Sequence, residues 1–408
     1  MRERAAALQA DLAGLRDRLH REPELGLHLP RTQRTILDAL DGLGLDVRRG
    51  TAATSVIGIL DGDAPGPTVF LRADLDALPA EGGAEEPGAM HACGHDLHAA
   101  MLVGAARLLC EAKPARGRVV LLWQPGEEGH DGMRAMLGED LGELVESAGD
   151  DAASYGLHVL AGSLPRGVFA GRAGASHAAT ASFTVRLRGP GGHGAFPHQA
   201  PDPVVAAADL ITRWQTRIAR DVDIFDPAVL TVGAIRGGEA ANAIAGLVTL
   251  EGTTRCFSPA RQQSLAALVA ETAHSVAASH GVSAEVDYLP GYPPVVNDAE
   301  EVARFAEVVA GLLGADRYTD LPAPLPAGDD YALLLDRVPG AFLMVGAGLP
   351  GKDGIEHPNH SPSVVFDPAV LADGAAVLAA VALARLGGPA AGAPSYGSTR
   401  AQEGNRVA

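Results

Sequence analysis

The sequence predicts an α/β protein in which a smaller unit interrupts a mixed or parallel sheet. Three observations carry that prediction. Through the first 175 residues, short apolar runs without strict alternation are separated by helical stripes, the pattern of a sheet covered on both faces. After about residue 175 the strands alternate apolar and polar residues, as on a sheet with one wet face. From residue 289 the pattern of the first 175 residues returns, so the middle segment reads as an insertion. At 408 residues the chain also exceeds one ordinary core.

The elements follow in order. Leu8, Leu12, Leu15 and Leu19 form a helical stripe, as do Ile36, Leu37, Leu40 and Leu43. Buried strands are expected at 56–60, 69–73, 119–123 and 155–159, with a helix at 97–110 between the second and third. The insertion opens on the alternating Phe183, Val185 and Leu187. It continues as helix 204–218, strands near 229–234 and 247–255, helix 261–279 and strand 284–288. That order is β-α-β-β-α-β, the split unit of a ferredoxin-like domain. Helix 299–313, strand 341–345 and helix 369–386 then complete the larger unit. The expected boundaries are 1–175, 176–288 and 289–386. A Gly-, Ala-, Pro- and Ser-rich tail, 387–408, is expected to be disordered.

Composition narrows the function classes. Net charge is −18 and no lysine or arginine cluster is long enough to grip phosphates, so nucleic acid and anionic membrane are excluded as partners. Cys93, Cys110 and Cys256 are odd in number and far apart, which argues against a disulfide framework and for a reducing compartment. The N-terminus runs into a charged amphipathic pattern, not an apolar signal core. The apolar stretch 369–386 carries Asp373 and Arg385 and reads as a buried helix. The expected location is the cytoplasm.

Chemistry concentrates in Met90-His91-Ala92-Cys93-Gly94-His95-Asp96-Leu97-His98. Cys93 and His95 are two apart, so in extended backbone they point the same way and can share an ion. Gly94 lets the chain bend close to it. No second short-spaced pair lies nearby, as a structural zinc site would need, so the remaining ligands must come from distant segments. Four segments offer them. Leu71-Arg72-Ala73-Asp74-Leu75-Asp76-Ala77-Leu78-Pro79 ends a strand with carboxylates at i and i+2. Gln124-Pro125-Gly126-Glu127-Glu128-Gly129 sets adjacent glutamates, whose side chains diverge, just after a strand. Gly156-Leu157-His158-Val159 buries a lone histidine, and Glu356-His357-Pro358-Asn359-His360-Ser361-Pro362 is a proline-fenced loop with two more.

In that order, and with Gly189-Pro190-Gly191-Gly192-His193-Gly194-Ala195-Phe196-Pro197-His198 between the last two, these motifs resemble the M20 metallopeptidases. The resemblance is nearest to the amidohydrolase branch of aminoacylases, hippurate hydrolases and auxin-conjugate hydrolases, and runs from about His20 to Leu386. It implies a two-metal exopeptidase-type catalytic domain with an inserted lid and dimerisation domain, a homodimer, and hydrolysis of N-acyl amino acids. Cys93, His95, Glu128, His158 and His360 match the family's ligand positions for two divalent ions. Asp76 matches an aspartate that orients a ligand from behind, and Glu127 matches the general base that activates the bridging water. His193 matches a histidine that reaches a partner's active site as an oxyanion donor. Asn242 and Arg255 match substrate-binding residues, and an arginine fork suits a carboxylate. Cysteine and histidine favour Zn²⁺, Co²⁺ or Ni²⁺, while the carboxylates also admit Mn²⁺.

The sequence departs from the family at Gly126, a harmless change, and in the short loop 79–89 and at Asn242-Ala243-Ile244-Ala245, which bear on specificity more than chemistry. Ala327-Gly328-Asp329-Asp330-Tyr331 stands where other branches carry a metal-binding carboxylate, here replaced by the cysteine-containing set. Alternative readings are a dipeptidase or carboxypeptidase, an N-acetyl-diaminopimelate deacetylase, or a binding protein that keeps the fold without catalysis.

Overall fold

The computed structural model describes residues 1–80 and 88–387, so the tail expected to be disordered lies outside the described residues apart from Gly387. Its centre is an eight-stranded mixed sheet. Across it the strands run Asp46–Arg49, Val56–Asp61, Arg118–Gln124, Thr68–Asp74, Ala153–Leu160, Gly340–Gly346, Phe169–Gly171 and Tyr318–Asp320. Thr68–Asp74 is parallel to both Arg118–Gln124 and Ala153–Leu160, and Gly340–Gly346 is parallel to Ala153–Leu160. The two strands at the Asp46 edge pair antiparallel. The central strands are buried along nearly their whole length, which is why their sequences run apolar without alternation.

One face is covered by helices Arg2–Arg21, His95–Ala112 and Leu371–Arg385, whose apolar residues form a single core with the sheet. Arg2–Arg21 buries Ala5, Leu12, Leu15 and Leu19, one helical stripe, and leaves its charged side to solvent. Leu371–Arg385 is buried from Leu371 through Ala382 on nearly every side, so its length of apolar sequence is that of a core helix. The other face carries a second core under the short helices Gly132–Leu137, Asp140–Glu146 and Ala332–Leu335.

The middle segment builds its own core around Trp214, Phe183 and Val269. Its strands are ordered Ala228–Gly237, Leu247–Cys256, Ala179–Arg188, Ser283–Pro290, with every pairing antiparallel. Helices Pro203–Asp221 and Pro259–Ser279 pack together on one face. Each starts where the sequence dictates: Asp202 and Ser258 accept a backbone N–H of the first turn, and a proline follows at the first helical position.

Candidate metal centre

Three parallel strands end at one place, the edge where α/β sheets present their chemistry. Thr68–Asp74 delivers Asp74 and then Asp76, Arg118–Gln124 runs into Glu127 and Glu128, and Ala153–Leu160 carries His158 near its end. Cys93 and His95 flank Gly94, which caps helix His95–Ala112 with φ of 86°. His360 arrives from the loop before the last helix.

The donor atoms converge. Cys93 Sγ lies 3.3 Å from His158 Nε2 and 3.2 Å from His360 Nε2. Glu128 Oε1 is 3.5 Å from His360 Nε2 and 3.8 Å from His95 Nε2. Ligands bound at about 2.0–2.3 Å to one ion at tetrahedral angles stand about 3.5 Å apart, so these separations suit shared cations. Both ring nitrogens of His95 and Oε1 of Glu128 are sealed from solvent without a hydrogen-bond partner among the described residues. Orphaned buried atoms of this kind are rare and costly, and one cation can satisfy Nε2 of His95 together with Oε1 of Glu128, while Nδ1 faces Asp76. The donor set fits a pair of divalent ions.

The supports show which neighbours are not free to bind metal. His98 Nδ1 donates to Asp74 Oδ1 at 2.5 Å, and its Nε2 accepts the backbone N–H of Val159 at 2.8 Å, so both ring nitrogens are occupied. Asp74 Oδ2 in turn takes Arg72 Nη1 at 2.6 Å. His158 Nδ1 lies 2.7 Å from the carbonyl of Val159, which leaves Nε2 facing Cys93. Asp76 accepts the backbone N–H groups of Glu127 and Glu128, each at 3.0 Å, and so fixes the glutamate loop. Its Oδ1 is 3.7 Å from His95 Nδ1.

Asn359 ties the remaining pieces together. Its amide donates to the carbonyls of Cys93 (3.2 Å) and Val159 (3.0 Å) and accepts from the N–H of Ala161 (2.9 Å). The next residue, His360, stands at φ of 68°, a conformation unusual for a side-chain-bearing residue.

Electrostatics separate the two glutamates. Burial, reinforced by Asp329, Asp330 and Glu128, holds the Glu127 carboxyl well above the usual carboxylate range. Glu128 is raised too, chiefly by burial, with His95 and His360 opposing. Burial pushes the Cys93 thiol up to about 12, so a thiolate there needs a cation beside it. Asp329 and Asp330 are engaged by Arg72 at 3.3 and 3.1 Å, and Asp330 also accepts from Gln124 and the Met133 N–H. Burial raises Asp329 and pushes Asp330 up to about 8, with Arg72 opposing both.

A cavity of about 310 Å³ opens onto this cluster, with Cys93, Glu127, Glu128, His158 and His360 in its wall. Arg255, from the small antiparallel sheet, lines it as well. His193 and Asn242 do not. Both are exposed; His193 pairs opposite Ala243, and Asn242 directly precedes that short strand. A separate concavity of about 410 Å³ near Thr51 and Glu143 holds none of the candidate ligands. Sequence reasoning passed over Arg72, Asp74, His98 and Asn359 as individual residues, although each lies inside a motif singled out there. His177, Thr180 and Tyr292, also in the cavity wall, carried no signal of their own.

Comparison with known proteins agrees with this geometry. The chain is 36% identical over 380 residues to an IAA-amino acid hydrolase ILR1-like protein of Arabidopsis thaliana, spanning 90% of this chain and 84% of that one. It is 36% identical over 375 residues to the N-acetyl-L-cysteine deacetylase of Bacillus subtilis, spanning 89% and 85%. A crystal structure of a dinuclear metal binding peptidase of the M20 family from Bacillus subtilis superposes with a TM-score of 0.78 at 28% identity, over 94% of this chain and 99% of that one. The model of peptidase family M20/M25/M40 matches residues 70–384. With its fold and its cluster of potential metal ligands, the chain belongs to the M20 family, in the amidohydrolase branch of these hydrolases.

Proposed function

We propose that this hydrolase cleaves the amide bond of N-acyl amino acids with the help of two divalent cations. One observation carries the reading: a buried carboxylate, Glu127, stands beside the orphaned atoms of His95 and Glu128 at a cavity that also presents a guanidinium. Cys93, His95, Glu128, His158 and His360 would hold the ions, Zn²⁺ or Mn²⁺ foremost, with Co²⁺ and Ni²⁺ compatible with the same donors. Bound there, such ions acidify a water and polarise an amide carbonyl.

The protein's own residues do the rest. Glu127, raised by burial and by neighbouring carboxylates, takes the proton of the attacking water and returns it to the nitrogen as the C–N bond breaks. Asp76 keeps Glu127 and Glu128 in place through their backbone N–H groups. Arg255 pairs with the substrate carboxylate, for which its planar fork is suited. The relatives named above, an IAA-amino acid hydrolase and an N-acetyl-L-cysteine deacetylase, are both named for N-acylated amino acids, which supports this substrate class.

In the same reading, 176–288 is a ferredoxin-like lid and dimerisation domain inserted between 1–175 and 289–386. His193 and Asn242 then serve the active site of a second copy, which is consistent with their exposure outside this chain's own cavity. The test is hydrolysis of acetyl, benzoyl and indole-acetyl amino acids, beside dipeptides, after loading with each metal. Turnover of acyl substrates exceeding that of dipeptides is expected. Preferential cleavage of dipeptides would replace this reading with a dipeptidase.

A further inference from the structure

Besides Thr180, Arg255, Tyr292 and Asp329, the cavity wall away from the metal ligands carries an apolar group formed by Leu160, Leu325, Ala327 and Met344. His177 sits among them, 5% exposed, its ring 5.1 Å from that of Phe342 and its backbone bridged to Leu325. Ser176 Oγ lies 3.1 Å from its Nδ1. Nε2 has no hydrogen-bond partner among the described residues, yet it is not among the atoms sealed from solvent. The open surface available to it is the cavity.

Burial holds this imidazole down at about 4, so it is neutral at ordinary pH. A neutral ring with one nitrogen taken by a hydroxyl presents the other as a single directed hydrogen-bonding group. Leaving such a group unmatched against an apolar substrate is costly, whereas matching it favours a substrate that carries a hydroxyl at that point.

We infer that His177 is a specificity-determining residue, which selects N-acyl amino acids bearing a hydroxyl or similar hydrogen-bonding group on the part seated against the apolar wall. This inference rests on the proposed hydrolysis of N-acyl amino acids. The group can belong to either end of the substrate, and matched pairs separate the two. N-acetyl-threonine against N-acetyl-valine probes the amino-acid side chain. Lactoyl- against propanoyl-alanine probes the acyl group.

The experiment compares wild type, His177→Leu and His177→Gln in two readouts. One is kcat/KM for each pair. The other is Kd for the same compounds on a Glu127→Gln background, by calorimetry. In one of the two pairs, wild type should favour the hydroxylated member by about tenfold, the scale of one net hydrogen bond. His177→Leu should abolish or reverse that ratio, and His177→Gln should restore part of it in a folded protein. A ratio unchanged in His177→Leu, or an apolar preference by wild type in both pairs, overturns the inference while leaving the hydrolase reading intact. No turnover of any compound, with a binding ratio that still depends on His177, overturns the hydrolase reading alone. Neither turnover nor binding overturns both.

Discussion

Asn359 joins the Cys93 loop, the end of the His158 strand and its own loop through one side-chain amide. Removing it leaves the donor atoms present but loosely held, the usual consequence of losing a group that orients metal ligands. Asn359→Ala should therefore weaken metal binding by about 10–100-fold, measured by competition with a chelator, with little change in far-ultraviolet circular dichroism. His177 makes a different prediction, on stability. The unfolded chain takes up a proton at this histidine below about 6.5, whereas the buried ring resists until about 4. Stability is therefore whole above about 6.5 and is lost as pH falls towards 4, by up to about 3 kcal/mol. His91 is held down at about 4 as well, so His177→Gln should make the pH dependence shallower in urea titrations across the window, and an unchanged pH slope would contradict it.

The residues of the candidate metal cluster were legible because cysteine, histidine and adjacent glutamates declare their chemistry by type and spacing. Asn359 and His98 were not, since their roles lie in contacts with residues far away in sequence: Asn359 meets Cys93 across 266 positions. His177 is a single histidine in an unremarkable stretch, and only the cavity gives it a role.

Among elements, the turn at Gly94 makes the steepest demand. Its φ of 86° suits glycine, and a Cβ there would overlap Val159 Cγ2 and press on Phe366. Gly94→Ala should destabilise the fold by more than about 2 kcal/mol, measured by denaturant titration, and should lower metal affinity because Cys93 and His95 flank the turn. Long elements were the legible ones. Helix Ala299–Leu313 lies where its periodicity puts it, and the buried strands grow by only a residue or two at their ends. The short strands Asp46–Arg49, Phe169–Gly171 and Tyr318–Asp320, at or next to the sheet edges, were missed. Three or four residues give no period to read, and pairing with a neighbour, not local pattern, makes them strands.

On the scale of the whole molecule, the change of pattern near residue 175 and its reversal near 289 foreshadowed two separate sets of cores. The order of strands in each sheet was not legible, because register and neighbour choice are settled by packing between distant segments. If two copies complete each other's sites, mixing inactive His193→Ala and Glu127→Ala chains should restore about a quarter of wild-type turnover, from the one intact site in each mixed dimer at equal exchange. Absence of any recovery, with mixed dimers shown to form, would remove His193 from the reaction in trans. The assignment of Glu127 is tested most directly by measuring metal content and hydrolysis of an N-acyl amino acid panel on the same samples of wild type and Glu127→Gln. The expected result is two metal equivalents in both proteins, with turnover in the variant lower by at least about a hundredfold. Undiminished turnover by a metal-loaded Glu127→Gln would contradict the role of Glu127 as the base and with it the proposed reaction.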